Sequence, residues 1–328
     1  MVKKIQKLIF ISLQIPLLPV SYIGLKVSMR RNKEVSKKLG ISYTAGQVIH
    51  SHWFTHYFRT RRDETTVKFF KSFPAKSHKG FLGLMSAAII SNRLCGFTPS
   101  LAQINIPQDA GIMNFINPRV KDINEIFEKN IENVEQVVVM GAGFDLRTVK
   151  YTKGKNLKVF ELDQEKTQKV KLATLEKAKI EHDWINYVPI DFNTESWVEK
   201  LLEAGFEKGK KTFFLWESVS LYLEESIVRD TLTKVADICG SGSVITQDFY
   251  STEFMDGTAF PRMKRSVDLM KEIGEPWLFG IDMSQNTTST IEKLINETGF
   301  DLNEITLYGE NKTSSKNPFY AIAVATKA

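Results

Sequence analysis

The chain has 328 residues, enough for one large domain or two ordinary ones, and its 42% hydrophobic and 25% charged residues are globular proportions. These values exclude a largely disordered, collagen-like or disulfide-scaffold protein, and the two cysteines, Cys95 and Cys239, fit buried thiols in a reducing compartment. The net charge of +6 is uneven: residues 1–80 carry 16 Lys/Arg against 3 Asp/Glu, and the remaining 248 carry 28 against 35, so a basic arm precedes a mildly acidic body.

Leu8 to Leu25 is an uncharged 18-residue stretch framed by Lys3, Lys4 and Lys7 before it and Lys26, Arg30, Arg31 and Lys33 after it. A span needs about 20 apolar residues, so the length is borderline. Pro16 and Pro19 should kink it. Three readings stand: a single span or in-plane anchor, a helix buried on the body, and a signal peptide without a small-x-small cleavage site. If the stretch anchors, the denser Lys/Arg on its C-terminal side places the body in the cytoplasm.

Three histidines follow, His50, His52 and His56. Only the last two are at i, i+4, and no HExxH or Cys partner accompanies them, so a structural role is favoured over metal. Trp53, Phe54, Tyr57 and Phe58 are interleaved with Arg59, Arg61 and Arg62. That mixture suits an anionic membrane surface or single-stranded nucleic acid, or else an amphipathic helix with a solvated basic face. Lys76 to Gly80 reads as the loop closing this region.

The body alternates strands with helices. Strands are predicted at Gln136 to Met140, Lys158 to Asp163, Ile185 to Ile190, Thr212 to Trp216 and Ser243 to Phe249, and near Glu304 to Tyr308 and Phe319 to Thr326. Helices are predicted at Val120 to Ile131, Gln164 to Ala178, Ser196 to Ala204, Glu224 to Cys239 and Thr290 to Thr298. Residues 256–288 read as an insertion with a helix around Met263 to Ile273. Such a repeat gives a largely parallel sheet with helices on both faces, and ligands bind at the carboxyl ends of its strands.

The strand ends carry polar residues. Gly141-Ala142-Gly143 allows a sharp turn and close approach of a ligand. Leu146 stands where a dinucleotide fingerprint has its third glycine, which disfavours NAD. Asp145 repels an anion at the following helix and tolerates a cation. Asp163, 22 residues past Gly141, can accept from both ribose hydroxyls, or cap the next helix. Asp191 can accept from an adenine amino group with Phe192 against the ring, or serve a turn with Asn193. Glu217 sits where a ligand's amino group or reacting end would lie, or is a salt-bridged strand end. Together they describe a pocket for an adenine–ribose ligand with a cationic tail, and S-adenosylmethionine is such a molecule.

This arrangement resembles the leucine carboxyl methyltransferase family, in its bacterial small-molecule O-methyltransferase-like branch. Gln136 to Arg147 looks like the family's glycine motif, Val159 to Gln164 its second-strand motif, and Glu217 to Leu223 its fourth-strand motif. Residues 1–79 lie outside the resemblance, which divides the chain into an N-terminal hydrophobic and basic extension and a domain at 80–328. The resemblance implies a Rossmann-like α/β sheet of the class I methyltransferase type, seven-stranded with its last strand antiparallel, and S-adenosyl-L-methionine as cofactor. It implies that Arg119 binds the cofactor carboxylate, and that the helix from Ser86 to Arg93 covers the pocket. Thr148-Val149-Lys150 departs from the aromatic-Arg usual after the glycine motif.

The expected activity is methyl transfer to a carboxylate or hydroxyl oxygen. Tyr222, just past the fourth strand, is the candidate to contact the acceptor. A carboxylate acceptor, ionised at pH 7, needs no base. The expected partners are a small-molecule or protein acceptor and a membrane surface met through residues 1–40. No metal site is expected and nucleic acid is not favoured. A turnover-deficient adaptor and an RNA-modifying enzyme are the alternatives.

Overall fold

The computed structural model describes residues 2–41, 47–106, 114–192, 194–261, 263–310 and 316–328, with Lys33, Ser36, Gln47 and Val48 described by backbone only. Asn193, grouped above with Asp191, lies outside the described residues.

Seven strands form one sheet: β1 (Gln136–Met140), β2 (Lys158–Asp163), β3 (Ile185–Pro189), β4 (Thr212–Trp216), β5 (Val244–Tyr250), β6 (Asp301–Tyr308) and β7 (Tyr320–Thr326), in the order β3-β2-β1-β4-β5-β7-β6. The first five run parallel, and β7 is antiparallel to both β5 and β6. The Rossmann-like sheet with an antiparallel last strand is therefore what the chain forms. Every residue of β1 and β4 is buried, as expected of central parallel strands covered on both faces. Strand order reverses between β1 and β4, so the crevice of a doubly wound sheet opens at their carboxyl ends.

Thirteen α-helices accompany the sheet among the described residues. The arm and its continuation hold α1 (Val2–Gln14), α2 (Leu18–Leu39), α3 (Gln47–Tyr57), α4 (Glu64–Ser72) and α5 (His78–Cys95). Around the sheet lie α6 (Ile116–Asn130), α7 (Arg147–Tyr151), α8 (Glu165–Ala178), α9 (Trp197–Glu203) and α10 (Glu225–Ile238). The insertion holds α11 (Thr252–Asp256) and α12 (Met263–Glu272), and α13 (Thr287–Glu297) precedes β6.

The N-terminal part departs from expectation in three places. Pro16 lies in a one-turn 3-10 segment, Ile15–Leu17, and Pro19 in the first turn of α2, where a missing N–H is tolerated, so the apolar stretch stays helical throughout. Residues 76–80 are not a closing loop: Ser77 caps α5, its Oγ accepting from the Gly80 N–H at 3.1 Å. The aromatics of 53–58 do not form a stacking surface, since Trp53 and Phe58 are buried with Phe69 and Phe70 of α4. These side chains share a core with Phe144, Val159 and Ile185 of the sheet region. The histidines are held locally: His52 Nδ1 lies 2.8 Å from Asp63 Oδ2, and His56 Nδ1 accepts from the Asp63 N–H at 3.1 Å.

Candidate functional site

The first turn after β1 is built by glycine. Gly141 and Gly143 take φ of +66° and +49°, in the left-handed region that favours glycine. A Cβ on Gly141 would lie 2.3 Å from Val219 Cγ2, so the turn also packs without room against the chain leaving β4. The Gly143 N–H donates to Asp163 Oδ2 at 2.5 Å, and the Gln164 N–H donates to Asp163 Oδ1 at 2.7 Å. Asp163 thus ties the end of β2 to the glycine turn. The N-cap position of α8 falls to Gln164 instead. Burial pushes the Asp163 carboxyl up, against the pull of those two amides.

A charged cluster sits across from this turn. Glu217, just past β4, accepts from Arg119 Nη2 on Oε1 and from Arg147 Nη1 on Oε2, each at 2.6 Å. Arg147 Nε also donates to Asn124 Oδ1 at 2.7 Å, and the backbone N–H and Nη1 of Arg147 both donate to Asp145. Both arginines and Glu217 are buried. Burial favours the neutral Glu217, but the two guanidiniums outweigh it and hold the carboxyl below its usual range. Asp145 is likewise held down by Arg147 against burial, so its charge is met inside the cluster and does not face a ligand as a free anion. Arg119 Nε and Arg147 Nη2 remain buried without a hydrogen-bond acceptor. Of the two, Arg119 lines the cavity at the carboxyl ends of the strands and retains donor capacity for an incoming anionic group.

Past Glu217 the chain is strained. Ser218 has φ of +56°, and Asp248 of β5 accepts from its N–H at 2.7 Å and from its hydroxyl at 3.1 Å. Tyr250 Oη lies 3.1 Å from Ser218 Oγ and accepts from Arg119 Nη1 at 3.2 Å. Tyr320 Oη donates to Asp248 at 2.9 Å. Burial lifts the Asp248 carboxyl to about 6 despite Arg119. The result is a continuous hydrogen-bonded path from Tyr250 through Ser218 to Asp248.

The glycine turn, Arg119, Asp145, Asp163, Glu217, Ser218 and Tyr250 line one cavity of about 1070 Å³, which Arg147 and Asp248 reach only through Glu217 and Ser218. Its walls include every site residue picked from the sequence: Arg119, Gly141, Gly143, Asp163, Asp191, Phe192, Glu217 and Tyr222. Leu221, Phe254, Met263, Met270 and Trp277 add an apolar wall. The α5 helix is not among the walls; it packs against α1 and α2, so the segment Ser86 to Arg93 does not cover the pocket. Sequence reading gave no role to Arg147, Ser218, Asp248 or Tyr250. The available signal was an acidic residue in mid-strand, Asp248 within VITQDFY, at a position where a buried strand would otherwise be apolar.

Residues 83–236 match the leucine carboxyl methyltransferase family model. The family read from the glycine, second-strand and fourth-strand motifs is thereby borne out. Bacillus subtilis YktD, which bears an S-adenosyl-L-methionine-dependent methyltransferase name, is 30% identical over 172 residues, 52% of this chain and 55% of that protein. A Mycobacterium tuberculosis protein of the same naming is 26% identical over 206 residues, 60% of this chain and 65% of its own. The chain spans about half the length of YktD and of other curated relatives it matches. Among solved structures, an O-methyltransferase family protein from Burkholderia thailandensis is 10% identical with a TM-score of 0.44, covering 88% of this chain and 73% of that one.

Proposed function

We propose that this chain is an S-adenosyl-L-methionine-dependent methyltransferase of the leucine carboxyl methyltransferase family, acting on a carboxylate or hydroxyl oxygen. One observation carries the reading. The glycine turn, the Asp163 carboxylate and the buried Arg119 with a spare donor meet in a single cavity at the reversal of strand order. The relatives' names support the cofactor and the reaction class.

The residues present fit that cofactor. Asp163 is the acceptor for ribose hydroxyls, Asp191 and Phe192 flank the base, and Arg119 receives the carboxylate on its fork. Glu217 orients Arg119 and faces the amino group. The cofactor supplies a methyl on a sulfonium: as the new O–CH₃ bond forms, the S–CH₃ bond breaks and its electron pair returns to sulfur. The protein's work is alignment, with the acceptor oxygen about 3 Å from the methyl carbon and water kept out. Tyr222 and Tyr250 border the space left for the acceptor. For a hydroxyl acceptor, the path from Tyr250 through Ser218 leads the proton toward Asp248, whose carboxyl titrates at about 6. A carboxylate acceptor needs no such path.

Isothermal titration with S-adenosylhomocysteine tests the reading. Micromolar or tighter binding at one site is expected, and no binding by folded protein overturns it. The body is read as cytoplasmic, with the arm at a membrane surface.

A further inference from the structure

The α1–α2 run is folded inside out. Its covered stripe recurs every three or four residues and is small or polar at Gln6, Gln14, Ser21, Gly24, Ser28 and Asn32, with Phe10, Leu13 and Leu17 among them in the first half and Val35 and Leu39 at the C-terminal end. Its outward surface is apolar: Leu8, Ile15, Leu18, Ile23 and Met29 are each between 57% and 66% exposed. A helix on a water-facing surface has the opposite polarity. Small residues toward the neighbouring helix and large apolar ones outward, as in α2, is the pattern of helices packed in lipid. The contact is as close as that pattern allows. A Cβ on Gly24 would stand 2.2 Å from the Leu84 N and 2.6 Å from the Gly80 carbonyl oxygen of α5.

The run is shaped to lie along a surface and not to cross a bilayer. Its 38 residues are about 57 Å of helix, against a hydrocarbon thickness of about 30 Å. It packs along α5, and Phe81 and Ile89 of α5 belong to the same core as Val159 and Ile185 of the sheet. A span would therefore drag the body into lipid. Residues 1–40 carry nine Lys/Arg against one Glu, which complements an anionic leaflet, and long basic side chains can keep their charges in water.

The same run reaches the cavity. Lys37, Gly40 and Ile41, at and just past the end of α2, line it. So do Leu269 and Ile273 of the α12 region, which are 44% and 43% exposed and give the cavity an apolar rim. We propose that α1 and α2 seat on an anionic lipid surface, and that the methyl acceptor is an amphiphile drawn from it. Its apolar chain lies along Met263, Met270 and Trp277, and its carboxylate or hydroxyl meets Tyr222 and Tyr250. This rests on the methyltransferase reading, and deepens it by naming the acceptor class.

The experiment uses the full chain, with S-adenosylhomocysteine bound, and vesicles of phosphatidylcholine with 30% phosphatidylglycerol (about that fraction gives a negative surface potential) carrying a diazirine-labelled long-chain fatty acid. The protein should float with the vesicles, and Leu8→Ser/Ile15→Ser/Ile23→Ser should lose flotation at least tenfold while keeping its S-adenosylhomocysteine affinity. Photolysis should place adducts on the peptide from Met263 to Trp277. Failure of the wild type to float while it binds S-adenosylhomocysteine overturns this proposal alone. So do adducts that are absent or confined to residues 2–32. If the triple variant loses cofactor affinity, the single variant Ile23→Ser replaces it, and unchanged flotation of that variant counts against the proposal. Failure of the wild type to bind S-adenosylhomocysteine overturns the methyltransferase reading, and this proposal with it.

Discussion

Glu217 holds Arg119 on one carboxylate oxygen and Arg147 on the other, so the end of β4 is pinned to both α6 and α7. The three groups are buried, and two positive charges converge on one negative, with Asp145 meeting part of the excess. Such a cluster holds its shape before any ligand arrives.

Removing its centre should be severe. Glu217→Ala leaves two buried guanidiniums short of an acceptor, and losing one partner of a buried pair costs about 3–5 kcal/mol. Thermal unfolding should show a drop of several degrees, and titration should show S-adenosylhomocysteine affinity reduced at least tenfold. Glu217→Gln keeps one acceptor oxygen and should lie between that variant and the wild type. Wild-type stability in Glu217→Ala would mean that water replaces the carboxylate and the cluster is not a buried one.

Asp163→Ala should weaken S-adenosylhomocysteine binding by about 1–3 kcal/mol, through lost hydrogen bonds to a charged acceptor. The Gly143 amide it now holds would also be freed. Asp163→Asn should retain part of the binding, because one oxygen can still accept. Titration calorimetry separates the outcomes, and unchanged affinity would confine Asp163 to bracing the glycine turn.

At Gly141 two costs combine. A left-handed φ costs a side-chain-bearing residue about 1–2 kcal/mol, and the new methyl would collide with Val219. Gly141→Ala should therefore lower the melting temperature and weaken cofactor binding. Adding Val219→Ala should recover part of the stability, since it removes the collision and leaves the backbone strain. No recovery in the double variant would assign the whole effect to φ.

Most of the body was legible because its signals are local. Apolar runs gave six strands within a residue or two and began β6 three residues late, and polar residues at strand ends fell into one cavity once the strands were parallel. What was not legible is relational. Asp248 lies inside β5, and only the sheet order brings it to Ser218 and Tyr250. Lys150, which departs from the family pattern, makes sense only beside Asp63, 87 residues earlier, which it meets at 2.8 Å. The aromatics near Trp53 left a surface and an amphipathic helix both open, because their basic neighbours suit either; only the packing shows that the apolar side faces the core. The polarity of α1–α2 could be seen only when the structure showed which stripe is covered.

That same corner should make the fold sensitive to acid. His52 is buried and packs against Asp63 on one side, with Lys150 and Arg147 nearby. Burial and the Lys150 charge lower its pKa from 6.5 to about 4, although Asp63 pulls the other way. Asp63 itself is resisted by burial, yet His52 and Lys150 keep it ionised far below the usual carboxylate range, so it does not titrate in this interval. The unfolded chain takes up a proton at His52 near pH 6.5 and the folded chain refuses it until about pH 4. The contribution of His52 to stability is therefore complete above pH 6.5 and is lost as pH falls, by about 1.4 kcal/mol per pH unit and about 3 kcal/mol in all. Asp248, held up to about 6, opposes this below pH 6, since the folded state then binds a proton that the unfolded carboxyl does not. The expected result is a decline in melting temperature from pH 7 downward, tempered by Asp248 below pH 6 but sustained by His50, whose imidazole burial holds down to about 3. In His52→Gln the amide can still donate to Asp63 but cannot titrate, so the decline near pH 6 should shrink to the share left by His50. Melting curves at half-unit pH steps decide it: identical pH profiles for the two proteins would show that His52 takes up its proton in the folded state as readily as in the unfolded one.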